Sequence, residues 1–161
     1  MPQRSLYIEV SSQLLSCLED GTIIRSYPVS TALAGTGECR DSGCTPRGAH
    51  KLRLKIGEGC PLNSVFRGRR ATGEIYDESL AKLAPERDWI LTRILWLSGL
   101  QSGINRGGEV DTLSRYIYIH GTADEHLIGQ PASHGCIRMR NLDILELFDW
   151  VSNGMLVEIV E

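Results

Sequence analysis

The residues best suited to chemistry sit close together: Ser133-His134-Gly135-Cys136-Ile137-Arg138-Met139, preceded by Tyr118-Ile119-His120-Gly121-Thr122. A thiol attacks a carbonyl only as its thiolate, and a nearby imidazole is the usual means of forming one at neutral pH. Gly135 lets the backbone turn sharply beside the thiol, so that amide N–H groups face a reacting atom. These residue types predict covalent catalysis by Cys136. Two histidines compete to serve it. His120 closes an apolar run and lies sixteen residues upstream, whereas His134 is two residues away in the same turn.

His120, His134 and Cys136 also offer two nitrogens and a sulfur, enough for a zinc with one open position. The turn holds no carboxylate and no fourth closely spaced ligand, so no metal is assigned. Gly35, Gly37 and Gly43 do not follow a phosphate-loop spacing. Arg67, Arg69 and Arg70 form a basic cluster whose plain reading is a solvated surface, with anion binding as the alternative.

The elements that must position these groups fit one domain of 161 residues, large enough for a core without disulfides or metals. A net charge of −3 leaves no nucleic-acid footprint. There is no apolar run long enough to span a membrane, and Met1 to Leu6 does not read as a signal peptide. Five cysteines leave at least one thiol free. Cys39 and Cys44 would pair only after export, and Cys17 and Cys60 read as small buried or half-buried residues.

Leu6 to Val10, Gln13 to Leu18 and Thr22 to Tyr27 read as a meander, with Asp20-Gly21 as a hairpin turn. Gly35 to Gly48 is a loop, His50 to Ile56 a half-exposed strand, and Gly57 to Arg70 irregular. A short helix is expected from Asp77 to Leu83, then a strand from Trp89 to Leu97, with a buried helical segment as the alternative. Gly99 to Asp111 is a loop, and a strand from Arg115 ends on His120. Asn141 is placed to cap a helix carrying Ile144, Leu145, Phe148 and Val151, stopped near Gly154. Met155 to Val160 closes the chain as a strand. The reading is mainly β, with one or two short helices.

These segments resemble those of the YkuD-type L,D-transpeptidases. The resemblance rests on His120-Gly121-Thr122, Ile128-Gly129 and Ser133 to Met139. Thr45-Pro46-Arg47-Gly48 with His50-Lys51-Leu52, and Val29-Ser30-Thr31, extend it to nearly the whole chain. It implies a compact β-sandwich with Cys136 as nucleophile and His120 as general base, oriented by a backbone carbonyl near Gly121. Ser133, His134 and Gly135 then shape the turn, and N–H groups around Gly135 and Cys136 hold the oxyanion. Arg138 orients a substrate carboxylate or braces the turn. The implied substrates are peptidoglycan stem peptides as donor and acceptor, and the implied inhibitors are carbapenems. No cofactor is implied. The family implies the periplasm or cell wall, but without a signal peptide the compartment stays open between the cytoplasm, a removed leader and another export route. Competing readings are an L,D-carboxypeptidase with the same Cys/His pair, a non-enzymatic wall-binding module, and a redox-sensing thiol protein.

Overall fold

In the computed structural model, which describes residues 1–161, the chain opens with three antiparallel strands: β1 (Arg4–Glu9), β2 (Leu14–Glu19) and β3 (Thr22–Ser30). Asp20 and Gly21 both adopt positive φ, 51° and 80°. This primed turn matches the natural twist of the two strands. Inward-pointing Leu6, Ile8, Leu15 and Cys17 alternate with outward residues, as a half-buried strand requires.

β4 (Gly48–Ile56), β5 (Ser64–Arg67), β6 (Arg70–Ile75) and β7 (Ile90–Gly99) follow, with α1 (Glu78–Leu83) before β7. Then come β8 (Tyr118–Gly121), β9 (Ile137–Met139), α2 (Asn141–Trp150) and β10 (Leu156–Val160). The strands pair in the order β4-β10-β1-β2-β3-β9-β8-β7, and β4 also pairs with β7, so the circuit closes on itself. Two neighbours in it are parallel, β1 with β10 and β8 with β9. The β5–β6 hairpin hangs from the outer part of β7. The β-rich fold expected from the sequence is present, and the closing β4–β7 pairing joins its faces into one sheet.

The main core fills the circuit with residues such as Val29, Leu52, Leu97, Ile119 and Ile159. Each fully buried aliphatic side chain contributes about 1.5–3 kcal/mol of transfer free energy. Helix α2 packs on β7 and β8 and adds Ile144, Leu147 and Phe148 to this core. No helix is long and apolar enough to cross a membrane.

Four expectations are corrected. The Gly57–Arg70 stretch contains β5 and the start of β6, which are short and, in β6, mostly exposed, so no alternation marks them. The strand expected from Arg115 begins only at Tyr118, because Tyr116 adopts φ 57° in a turn closed by its N–H on the Leu113 carbonyl. Asn141 is the first helical residue rather than the cap. The Glu125 carboxylate accepts its N–H at 2.7 Å and does the capping from another segment. The helix ends at Trp150, and Gly154 (φ 89°) instead shapes the turn into β10.

Candidate active site

The parallel β8–β9 ladder sets the geometry. Ile119 lies opposite Ile137, and His120 opposite Arg138. Successive side chains alternate between faces. Ile117, Ile119, Ile137 and Met139 therefore enter the core, while Tyr118, His120, Cys136 and Arg138 share the other face. That face lines a pocket of about 350 Å³ together with Arg69, Asp88, Tyr116 and Ser133.

The turn carrying Cys136 is fixed by its own residues and by two distant segments. Ser133 Oγ donates to the Cys136 carbonyl at 2.6 Å and accepts the Gly135 N–H at 3.2 Å. Thr45 Oγ1 donates to the Gly135 carbonyl at 2.9 Å and accepts the Ala32 N–H at 3.0 Å. The backbone of Thr31 to Leu33 runs alongside, with Ser133 N–H on the Thr31 carbonyl and Leu33 N–H on the Ser133 carbonyl, both at 2.9 Å. Gly135 has φ 131°, and a Cβ there would press on Ile117 and the Cys44 carbonyl. The Thr45-Pro46 and Val29-Ser30-Thr31 segments are thus the clamp on the turn. The Gly135 N–H, expected to face an oxyanion, is already taken by Ser133. The N–H groups of His134 and Cys136 have no partner within the chain.

The Cys136 thiol donates to the Tyr116 carbonyl at 3.4 Å and accepts the Tyr118 N–H at 3.3 Å. It makes no hydrogen bond to His120. Burial pushes the thiol up to about 11; the Tyr118 N–H opposes this, Asp88 adds to it, and Arg138 and Arg115 oppose it. Desolvation thus outweighs the groups that favour the anion.

His120 is 2% exposed and donates from Nδ1 to the Gly121 carbonyl at 2.7 Å. A carbonyl only accepts, so Nδ1 carries the proton and Nε2 is the free acceptor. Nε2 has no partner in the chain and is not among the sealed unpartnered atoms, so it opens toward the pocket. Burial holds the imidazole below its ordinary value, partly offset by the Gly121 bond and by Asp88.

Behind Gly121 lies a polar network that the sequence did not announce. A Cβ on Gly121 would stand 2.2 Å from Asn141 Oδ1 and 2.7 Å from the Leu91 carbonyl. Asn141 Nδ2 donates to the Thr122 carbonyl at 2.8 Å, and its Oδ1 accepts from Thr92 Oγ1 at 2.6 Å. Thr92 is buried and left-handed (φ 73°) at the irregularity in the β7–β8 register. A β-branched residue there is strained. Its hydroxyl bonds, including the Asn63 N–H at 3.1 Å, hold it in place.

Arg138 is 6% exposed and paired with Asp88 at 3.1 Å and Asp124 at 3.8 Å, with a third contact to the Ala132 carbonyl at 3.4 Å. Of the two roles considered for it, these contacts match a brace. His134 is exposed at the pocket mouth, 3.6 Å from Asp88. His126 is exposed in the loop. Asp88, linking both groups, lies fifty residues from Arg138, and no local pattern marks it. No group of three or more His, Cys, Asp or Glu side chains is arranged to hold a metal ion. All five cysteines are free thiols, with Cys17 buried, Cys60 half-buried and Cys39 exposed.

The closed β circuit thus brings Cys136, just before β9, and His120, on the adjoining parallel strand β8, to one pocket. The family model for the YkuD L,D-transpeptidase catalytic domain matches residues 3–159, and the chain belongs to that family. The YkuD protein of Bacillus licheniformis is 51% identical over 49 residues, a stretch covering 30% of either chain. The ErfK/SrfK protein of Salmonella typhimurium is 47% identical over 49 residues, 30% of this chain and 16% of that one. Among solved structures, L,D-transpeptidase 3 of Mycobacterium tuberculosis, in complex with a faropenem-derived adduct, matches with a TM-score of 0.61 at 17% identity, covering 99% of this chain and 61% of that one. An L,D-transpeptidase of Mycobacterium smegmatis gives 0.58 at 16%, covering 99% and 59%. The chain thus spans less than two thirds of these solved proteins.

Proposed function

We propose that residues 1–161 form one catalytic domain, an L,D-transpeptidase acting on peptidoglycan stem tetrapeptides through a thioester on Cys136. The observation that carries this reading is the single pocket shared by the Cys136 thiol and the open Nε2 of His120, whose Nδ1 is locked on Gly121.

The thiol and the imidazole both rest neutral. Once the thiol leaves the Tyr116 carbonyl, His120 Nε2 takes its proton as Sγ attacks the donor carbonyl. That carbonyl joins the L-centre of the third-position diamino acid to the terminal D-alanine. The negative oxygen is received by the unpartnered N–H groups of the turn, Cys136 first among them. His120 then returns the proton to the departing amine. D-alanine leaves, and the stem remains on Cys136 as a thioester. The side-chain amine of a second stem attacks the thioester carbonyl and gives its proton to His120; the C–S bond breaks, Cys136 leaves and takes the proton back, and a 3→3 cross-link remains. Attack by water gives an L,D-carboxypeptidase with the same residues. Ser133 and Gly135 hold the turn, Gly121 holds the base, and His134 borders the entrance. Carbapenems are expected to acylate Cys136 by the same attack.

Incubation with a purified disaccharide tetrapeptide, followed by mass spectrometry of products, tests the reading. Cross-linked dimers are expected. Tripeptides alone would select hydrolysis, and unchanged substrate with no carbapenem adduct on the protein would favour a wall-binding module.

A further inference from the structure

The Gly68-Arg69 turn brings one of the three clustered arginines over the pocket. Both residues are left-handed, with φ 55° and 65°, in a two-residue turn between β5 and β6. That conformation is unfavourable for a residue with a Cβ, and the Arg69 side chain is correspondingly well held. Its guanidinium stacks 4.6 Å from the Tyr116 ring and 5.1 Å from the Trp96 ring, and Nη1 donates to Tyr118 Oη at 3.2 Å. Tyr116 and Tyr118 are the residues whose backbone holds the Cys136 sulfur. Arg69 and Cys136 therefore flank one short segment and line one pocket.

The pocket has three arginines, and two are spent. Arg138 is paired with Asp88 and Asp124. Arg115 donates to the carbonyls of Gly37, Glu38 and Cys44 and to Ser42 Oγ. Arg69 forms no ion pair, and Tyr118 Oη is its only hydrogen-bond partner. Arg67 and Arg70 are exposed on either side of the turn, outside the pocket.

We infer that Arg69 is the carboxylate-binding residue of this pocket, gripping a carboxylate of the donor peptide while Cys136 attacks. A planar guanidinium, held against two aromatic rings with donors to spare, suits two-point recognition of a carboxylate. A stem peptide can present that group from its terminal residue or from its diamino acid. This inference deepens the proposed function and rests on it.

The test measures kcat/KM for Cys136 acylation with three tetrapeptides: the free acid, the C-terminal amide, and the peptide amidated on the diamino-acid carboxylate. The wild type is expected to lose about 10- to 100-fold on one of the two amides, which identifies the carboxylate gripped. Arg69→Gln should lose as much on the free acid and nothing further on that amide, and Arg69→Lys should recover part of it. The loss should fall on KM, with the rate of Cys136 alkylation by iodoacetamide unchanged. Equal losses on all three peptides in Arg69→Gln, or a wild type indifferent to both amidations, would overturn the inference. The wild-type comparison decides on its own if the variants do not fold. Absence of acylation by any of the peptides would instead defeat the transpeptidase reading.

Discussion

His50 and His120 are both buried in the sheet, and each ring donates from Nδ1 to a nearby backbone carbonyl, Gly48 at 3.0 Å and Gly121 at 2.7 Å. Burial pulls both below the ordinary imidazole value, His50 to about 4. They part at the second nitrogen. His50 Nε2 is closed by the Thr112 hydroxyl at 3.0 Å. His120 Nε2 has no partner in the chain, and His120 and Cys136 line one pocket. Burial and a depressed pKa therefore do not distinguish a structural histidine from a candidate base. The free lone pair, aimed into a cavity beside a thiol, does.

The sharpest way to break this contrast is to remove each ring. His120→Ala should lower acylation of Cys136 by about 10²- to 10⁴-fold with the fold retained. His134→Ala should cost far less, and a reversed order, read from single-turnover acylation rates, would move the base to His134. Gly121→Ala attacks the orienting carbonyl. Its new methyl displaces Asn141 and Leu91, and a shift of the ring of about 1 Å is worth roughly 10²-fold in acylation rate.

For His50 the effect belongs to stability. The unfolded chain binds this proton near pH 6.5, whereas the native state resists it down to about 4. Between these values the unfolded state holds more protons, so stability is full above pH 6.5 and is lost as pH falls toward 4, by about 3 kcal/mol. Urea titrations across that range should show a shallower loss in His50→Asn than in the parent. The smallest effect is expected from Thr112→Val, which strips the Nε2 partner and should cost about 1 kcal/mol with acylation unchanged.

The contrast also explains what the sequence could convey. The Cys136 turn was legible because Ser133, His134 and Gly135 are poor core-strand residues, and because turn and strand lie close along the chain. The first meander was legible from the alternation of Leu6 to Val10, the apolar runs after it and Asp20-Gly21. His50 read only as the start of a strand, since the Thr112 hydroxyl that defines it lies sixty-two residues away. Asn141 read as a helix cap because its type suits one. In the fold it is spent on Thr92 and Thr122, while Glu125 arrives to cap instead. The β5–β6 hairpin left no hydrophobic alternation, so Arg69 looked like solvated surface rather than a wall of the pocket. Groups whose role depends on a distant partner are the ones local pattern does not reach.

The most direct test of the central claim is capture of the covalent intermediate. The protein is mixed with disaccharide tetrapeptide donor in the absence of acceptor, quenched in acid, and analysed by intact mass and peptide mapping. The account predicts an adduct equal to the donor less D-alanine, located on Cys136 and absent in Cys136→Ala. Cleavage of the donor by the Cys136→Ala variant, or an adduct on any other residue, would contradict it.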